Sequence, residues 1–449
     1  MHLDTLRMAL QGYGCPATDE IAPKHVRHRE LRTHVAERLL VPSSNKPCPV
    51  ESRSERHMTK SEKTFQPAFR ALCAITGSRE LELVEEAGLD ESSWQDIVAL
   101  ALRHRVEGLV ARAFADGKIE APMKIRRHFS NCARGQALVA TRSAKALRDI
   151  SQALENRLIP FVLLKGLDVA ERYYTSWADR QSIDIDLLVP EAKLCEAERA
   201  LNEIGFSAQS FQKIPQRCRL LAQRLRADLA LERRSDDIHV ELHYRLFPNP
   251  YLLPMSFAEL YDRSVPLSLG HAKVRVFKPD ALLNYLVIHG AKHGWFRLKW
   301  LADLDKIVPA MSDAEFQQAT DFAARAGCER LLATSLNLLH RIYGSAPTRT
   351  RAPQFAFDVD EKLLAKMLIQ LRRSEVRTAF RLKDLRHWLD SITLDFALRR
   401  SWRYRLRQIE LLLIDPRDIE TFRLSSRWRP VYFVVGPFAK MLRSVARSI

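Results

Sequence analysis

The chain has no CxxC pair; its seven cysteines (Cys15, Cys48, Cys73, Cys132, Cys195, Cys218 and Cys328) are scattered. That argues against a thiolate zinc site and a disulfide framework, and fits a reducing compartment. No apolar run approaches the roughly 18 to 20 residues that a membrane span needs. Asp4, Arg7 and Gln11 interrupt the N-terminus, so it lacks the apolar core of a secretory signal. HExxH is absent, as are internal repeats and low-complexity blocks. The expectation is a cytoplasmic globular protein. Acidic residues are in deficit: 54 Asp and Glu stand against 71 Lys and Arg, a formal net charge of +17. Such an excess, mostly arginine, points either to an anionic partner (nucleotide, nucleic acid, polyanionic sugar or membrane surface) or to a basic, solvated surface.

With 449 residues the chain has room for two or three domains. Residues 1–60 form a polar tract punctuated by Pro16, Pro23, Pro42, Pro47 and Pro49. It is expected to be a mostly disordered leader with a short helix near Glu30–Leu40, and Met58 is an alternative start. Residues 61–155 carry helical periodicity, with Ser92 or Ser93 as a cap and Arg103, His104 and Arg105 on solvated faces. Nothing in this region suggests chemistry. Over 156–278 the period shortens to that of a small α/β sheet unit. Strands are expected at Phe161–Leu164, at DIDLLV, in a hairpin of ADLALERR with DIHVELHYRLF, and at KVRVFKP. Asp168 is placed as the cap of the helix after Gly166. Residues 279–345 read as helices packing on that unit and 346–449 as a basic helical region, with a turn or linker at Ala346–Pro353.

The stretch Leu163–Val189 carries the chemistry. Alternation on a strand puts Asp184 and Asp186 on one side, with Ile183, Ile185 and Leu187 facing a core. Two like charges side by side call for a cation. Lys165 and Gly166 form a turn ahead of a helix, a place where backbone N–H groups and the helix dipole favour phosphate. On the DIHVELH strand, Glu241 shares a face with His239 and His243. If that strand lies beside DIDLLV, Glu241 is a third carboxylate, and three hard oxygen ligands around a phosphate suit Mg2+, or Mn2+ in its place. Arg180 either contacts phosphate or pairs with Asp179 or Asp184. His243 is read as a hydrogen-bonder beside the site. His289 and His293 lie four apart, as zinc pairs do, but a third ligand would require Asp303 to fold back, so they are read as packing and supporting residues. Trp295, Leu298 and Trp300 are expected in the core between domains, and Lys292 and Lys299 are within reach of a nucleotide or solvated. Near the C-terminus, Arg399, Arg400, Arg403, Arg405, Arg407, Arg423, Arg427 and Arg429 interleave with Trp402, Tyr404, Trp428 and Tyr432. That pattern packs on its own domain, or contacts nucleic acid or an anionic membrane.

These residues resemble the polymerase-beta-type nucleotidyltransferase superfamily, with its glycine turn, D-x-D strand and later lone carboxylate. More narrowly the chain is similar to an uncharacterised bacterial nucleotidyltransferase family. The matching residues are Leu164-Lys165-Gly166, Arg180, Asp184-Ile185-Asp186, Glu241-Leu242-His243 and HGAKHGWFRLKWLADL from His289, within about residues 80 to 320. Leu167 follows the glycine where the superfamily carries glycine or serine, and Glu241 stands where aspartate is commoner. The resemblance implies an α+β fold, a small mixed nucleotidyltransferase-type sheet domain embedded between helical regions. It also implies transfer of a nucleoside monophosphate from a nucleoside triphosphate to an acceptor by a two-metal mechanism. By position, Asp184, Asp186 and Glu241 would hold the metals, with Lys165, Gly166 and Arg180 near the nucleotide. The alternative is a non-catalytic module of this fold that binds nucleic acid or an anionic membrane through its basic C-terminal helices.

Overall fold

The computed structural model describes residues 67–77, 89–208, 216–344, 359–372, 385–424 and 428–446. The leader expected at 1–60 and the turn at Ala346–Pro353 lie outside them. Among the described residues four helices come first: α1 (Pro67–Thr76), α2 (Glu91–His104), α3 (Glu107–Ala115) and α4 (Met123–Glu155). The sheet region follows with β1 (Val162–Leu163), α5 (Leu167–Tyr173), β2 (Asp184–Leu188), α6 (Leu194–Glu203), β3 (Ser207–Ala208), α7 (Gln216–Leu225), β4 (Asp228–Arg233) and β5 (Ile238–His243). It ends with α8 (Phe257–Asp262), β6 (Ser264–Leu269) and β7 (Ala272–Phe277). The helices α9 (Pro279–Lys292), α10 (Leu298–Ala310), α11 (Asp313–Ala326) and α12 (Glu329–Tyr343) come next. The described chain closes with α13 (Glu361–Arg372), α14 (Leu385–Ala397), α15 (Trp402–Leu413), α16 (Pro416–Phe422) and α17 (Arg429–Ala446). Among the described residues no helix is long and apolar enough to cross a membrane.

The fold is α+β, as expected. The seven strands form one mixed sheet in the order β3-β4-β5-β2-β1-β7-β6. β2 pairs parallel with β5 and antiparallel with β1, while β4–β5 and β6–β7 are antiparallel hairpins. Alternation sorts the two faces. Ile185, Leu187, Val240 and Leu242 enter a core shared with α4 and α6, whereas Val162, Leu164 and Leu188 face the core of the helical layers. Ile183, expected to face the core, precedes β2 and lines the cavity instead, because strand alternation applies only from Asp184 onward.

The 33-residue helix α4 spans about 50 Å at ~1.5 Å per residue. Its first half (Phe129, Ala133, Ala137) packs in the helical core, and its second half (Leu147, Ile150, Leu154) packs under the sheet. The C-terminal helices divide similarly. Leu394, Leu398 and Tyr404 join the helical core, while Ile414, Ile419 and Tyr432 join the sheet core.

Several local expectations change. The cap of α2 is Asp90, whose carboxylate accepts the Ser93 N–H at 2.8 Å; a charged acceptor suits the positive helix end better than the serine hydroxyls, which themselves bond to Asp90. Gly166, not Asp168, precedes α5; Asp168 is buried in the first turn, 2.9 Å from Arg172. His104 is fully buried, not solvated, because α10 lies against it: the Leu298 N–H donates to its Nδ1 at 3.1 Å.

Candidate active site

The register of two parallel strands brings the carboxylates together. Asp186 stands opposite Glu241, and Asp184 opposite His239. Their side chains leave the sheet on the face opposite Ile185 and Val240, toward α9 and α10, where a cavity of about 400 Å³ opens. The backbone N–H of Leu164 donates to the Asp186 carbonyl at 2.9 Å, which sets Lys165 beside Asp186. The Lys165 ammonium forms an ion pair with Asp186 Oδ2. From the far end of β5, His243 Nε2 lies 3.4 Å from Asp186 Oδ1 and 3.3 Å from Glu241 Oε2. Its Nδ1 is buried with no hydrogen-bond partner among the described residues.

The electrostatics follow from this packing. Burial pushes the Asp186 carboxyl up, but Lys165 and the His243 hydrogen bond outweigh it and hold Asp186 well below the usual carboxylate range. At Glu241 the His243 hydrogen bond acts downward, and burial with the Asp186 charge overcomes it, leaving the carboxyl raised. Burial disfavours the His243 imidazolium, yet hydrogen bonds to both carboxylates raise it to about 9. The three groups thus share positive charge from Lys165 and a bound proton.

Ligand atoms of Asp186, Glu241 and His243 all lie within 4.8 Å of one another, the one such group that could hold a metal among the described residues. Two carboxylates and an imidazole suit Mn2+ well and Mg2+ through the carboxylates, so the donor set fits a divalent cation in place of the ammonium and the proton. Asp184, expected with them, lines the same cavity but stands outside this trio.

Gly166 sits at φ +102°, and a Cβ there would come within 2.9 Å of Ser182 Oγ; the turn requires glycine. Arg180 holds it from behind. Its Nη1 donates to the Gly166 carbonyl at 3.1 Å, while Nε and Nη2 engage both oxygens of Asp303 at 2.7 and 2.8 Å. The partner is therefore neither Asp179 nor Asp184, and a guanidinium so engaged acts on the glycine turn. The sequence alone does not name Asp303 as the partner of Arg180; its one local signal is an aspartate inside the apolar run of α10.

The rest of the cavity wall is basic and aromatic. Arg105, Lys292, Arg297 and Lys299 line it, together with Phe247, Tyr285, Phe296 and Trp300. Arg105, expected in solvent, is here because α2 ends in a left-handed residue at φ 57°. Lys299 donates to the Gln181 carbonyl at 2.8 Å, and burial pushes both Lys292 and Lys299 down from the usual lysine range. His289 and His293 have ring centroids 4.8 Å apart, and both meet Trp300, His293 stacking on it at 5.3 Å. Burial lowers both imidazoles, His293 to about 3, so they form a neutral aromatic wall. Asp303, the one candidate third ligand, is engaged by Arg180, which removes the zinc reading.

A family profile described as "Uncharacterised nucleotidyltransferase" matches residues 90–344. The chain belongs to this nucleotidyltransferase family. The match runs from α2 to α12 and so contains the sheet, the carboxylate face and the basic wall. No curated protein matches the sequence.

Proposed function

We propose that this nucleotidyltransferase-family protein transfers a nucleoside monophosphate from a nucleoside triphosphate to an acceptor, using Mg2+ or Mn2+, in the cytoplasm. One observation carries the reading: Asp186 and Glu241, in register on adjacent strands, face a cavity whose other wall is lysine and arginine. A single cavity with an anionic and a cationic wall complements a metal–triphosphate.

Asp186, Glu241 and His243 would hold the metal, with Asp184 at the edge of the same cavity for a second ion. Bound there, the metals supply charge neutralisation at the attacking and departing oxygens. The residues do the remainder. Lys292, Lys299 and Arg105 orient the phosphates, Gly166 lets the backbone approach them, and Phe296 with Trp300 offers a ring surface to the base. Lys165, displaced from Asp186 when cations enter, turns its ammonium to phosphate. An acceptor oxygen then bonds to the α-phosphorus in line with the bridging oxygen, whose bond to phosphorus breaks as pyrophosphate leaves.

The test is thermal stabilisation by each nucleoside triphosphate with Mg2+ or Mn2+, together with pyrophosphate release. Asp186→Asn with Glu241→Gln should abolish both. Stabilisation equal to that of the parent protein would sink the assignment.

A contact with an anionic membrane is a second reading, supported by one feature. Trp402, Leu406 and Ile409 form an exposed apolar stripe on α15, flanked by exposed Arg403 and Arg405. Other basic residues turn inward, Arg407 and Arg429 onto Glu410. Sedimentation with anionic vesicles that persists in Trp402→Ser with Leu406→Ser would remove this reading.

A further inference from the structure

A second cavity, of about 620 Å³, shares Asp228, Phe247, Pro248 and Lys292 with the first. The two therefore meet at one wall, where Asp228 at the start of β4 stands opposite His243 in the sheet register. The volume is that of a small-molecule site, typically about 300–1,000 Å³. Its outer walls come from α14, α15 and the start of α16, beyond the family's matched residues 90–344. Leu252, Leu398, Leu411 and Ile414 give it an apolar side.

A chain of hydrogen bonds fixes one polar group on the other side. The Tyr251 N–H donates to Asn249 Oδ1 at 3.2 Å, and Asn249 Nδ2 donates to the Tyr404 carbonyl and to Gln408 Oε1, both at 3.0 Å. With its oxygen occupied, Gln408 turns its NH2 to the Asp395 carboxylate, with which it hydrogen-bonds. Asn249 is buried, so the relay is anchored in the protein interior. Asp395 keeps further acceptor lone pairs for a ligand. Arg417, also in the wall, is paired with Asp415 at 2.8 Å, and Lys292 lies over the Phe247 ring at 5.6 Å where the cavities join.

We propose that this second cavity is the acceptor subsite, and that it takes a hydroxyl-bearing molecule of sugar size with one apolar face. Asp395 accepts a hydrogen bond from one of its hydroxyls. The assignment rests on the nucleotidyl-transfer reading of the first cavity. A molecule seated between Leu398 and Asp395 directs another hydroxyl past Lys292 and Asp228 toward the α-phosphorus. Its oxygen forms the new phosphorus bond and its proton leaves to solvent or to a neighbouring carboxylate. Burial raises Asp395 to about 6 against the pull of Lys292.

The test uses the full chain with glucose, galactose, inositol and glycerol as probes, followed by saturation-transfer NMR. The variants are Asp395→Asn and, at the exposed Ser391 in the cavity wall, Ser391→Trp. Transfer to at least one probe in the parent protein, weakened about tenfold in both variants, is expected for loss of a charge-assisted hydrogen bond and for filled space. Nucleotide stabilisation should be unchanged in Ser391→Trp, since Ser391 does not line the first cavity. No transfer to any probe, or transfer undiminished in the variants, overturns the subsite. Loss of nucleotide stabilisation in the parent protein instead overturns the first reading, and the NMR result reports on the subsite independently.

Discussion

The Lys165 ammonium is paired with Asp186, the carboxylate that the β2–β5 register sets opposite Glu241. The pair is nearly buried, and an intramolecular cation occupies the place that a metal would take. Lys165→Met should therefore tighten Mn2+ binding measured by calorimetry without nucleotide, because the competing charge is gone. The same variant should bind metal–nucleotide more weakly on the proposed reading, in which the displaced ammonium turns to phosphate. Weakening of both would mean that Lys165 helps to build the metal site and does not compete for it.

Asp186→Asn tests the other partner. It leaves Lys165 and the His243 imidazolium near a neutral amide in a buried setting. Removing one member of a buried pair costs about 3–5 kcal/mol, reduced here because Glu241 still faces His243 at 3.3 Å. A loss of roughly 2–3 kcal/mol in urea unfolding of metal-free protein is expected, with no stabilisation on adding Mn2+.

The metal-free protein should lose stability on the alkaline side. His243 is raised from 6.5 to about 9 in the folded state, so its contribution is complete below pH 6.5 and disappears as pH climbs through 9. Asp186 is shifted the opposite way, so its contribution holds above the usual aspartate range and is lost as acid protonates it. Urea midpoints should fall between pH 6.5 and 9.5, and His243→Gln should flatten that fall. Mn2+ affinity should rise over the same interval, because the metal competes with the His243 proton.

Arg180 and Asp303 lie 123 residues apart and form a fully buried pair that also receives the Tyr174 hydroxyl at 2.8 Å. Asp303→Asn or Arg180→Met alone should destabilise by about 3–5 kcal/mol, each stranding a buried charge. The double variant Arg180→Met with Asp303→Leu should recover much of that loss. It should still bind nucleotide poorly, because the Arg180 bond to the Gly166 carbonyl is missing. Normal nucleotide affinity in the double variant would remove the link between this pair and the glycine turn.

The strands that carry the site were legible because their two-residue period is local: Ile185 and Leu187 point one way, Asp186 the other. The adjacency of Asp186 and Glu241 was inferred from a conditional pairing, which the register meets. β6 carries no readable alternation since Pro266 breaks its pattern, a residue tolerated there because β6 is an edge strand; β3 is two residues long. His104 and Arg105 read as solvated because helical periodicity says nothing about which polar face another helix will cover. The Asp303 partner of Arg180 and the turn of α14 and α15 toward the second cavity are long-range relations without a local signal.

The Gly290–Trp295 contact sets the basic wall in place. A Cβ at Gly290 would come within 2.6 Å of the Trp295 ring, and the Trp295 N–H donates to the Gly290 carbonyl at 2.8 Å. Trp295 itself sits at φ 53°, fully buried, a backbone state that packing must sustain. Gly290→Ala would push the ring off α9, at a cost of about 1–3 kcal/mol typical of overpacking. Because Trp295 joins α9 to α10, the displacement should reach Lys292, Lys299 and Trp300 together. Thermal unfolding should show the loss, and nucleotide affinity should fall with it. Trp295→Phe, which keeps a ring but shortens it, should relieve much of the clash in the Gly290→Ala background. Failure of that rescue would place the defect in the α9 backbone and not in the ring contact.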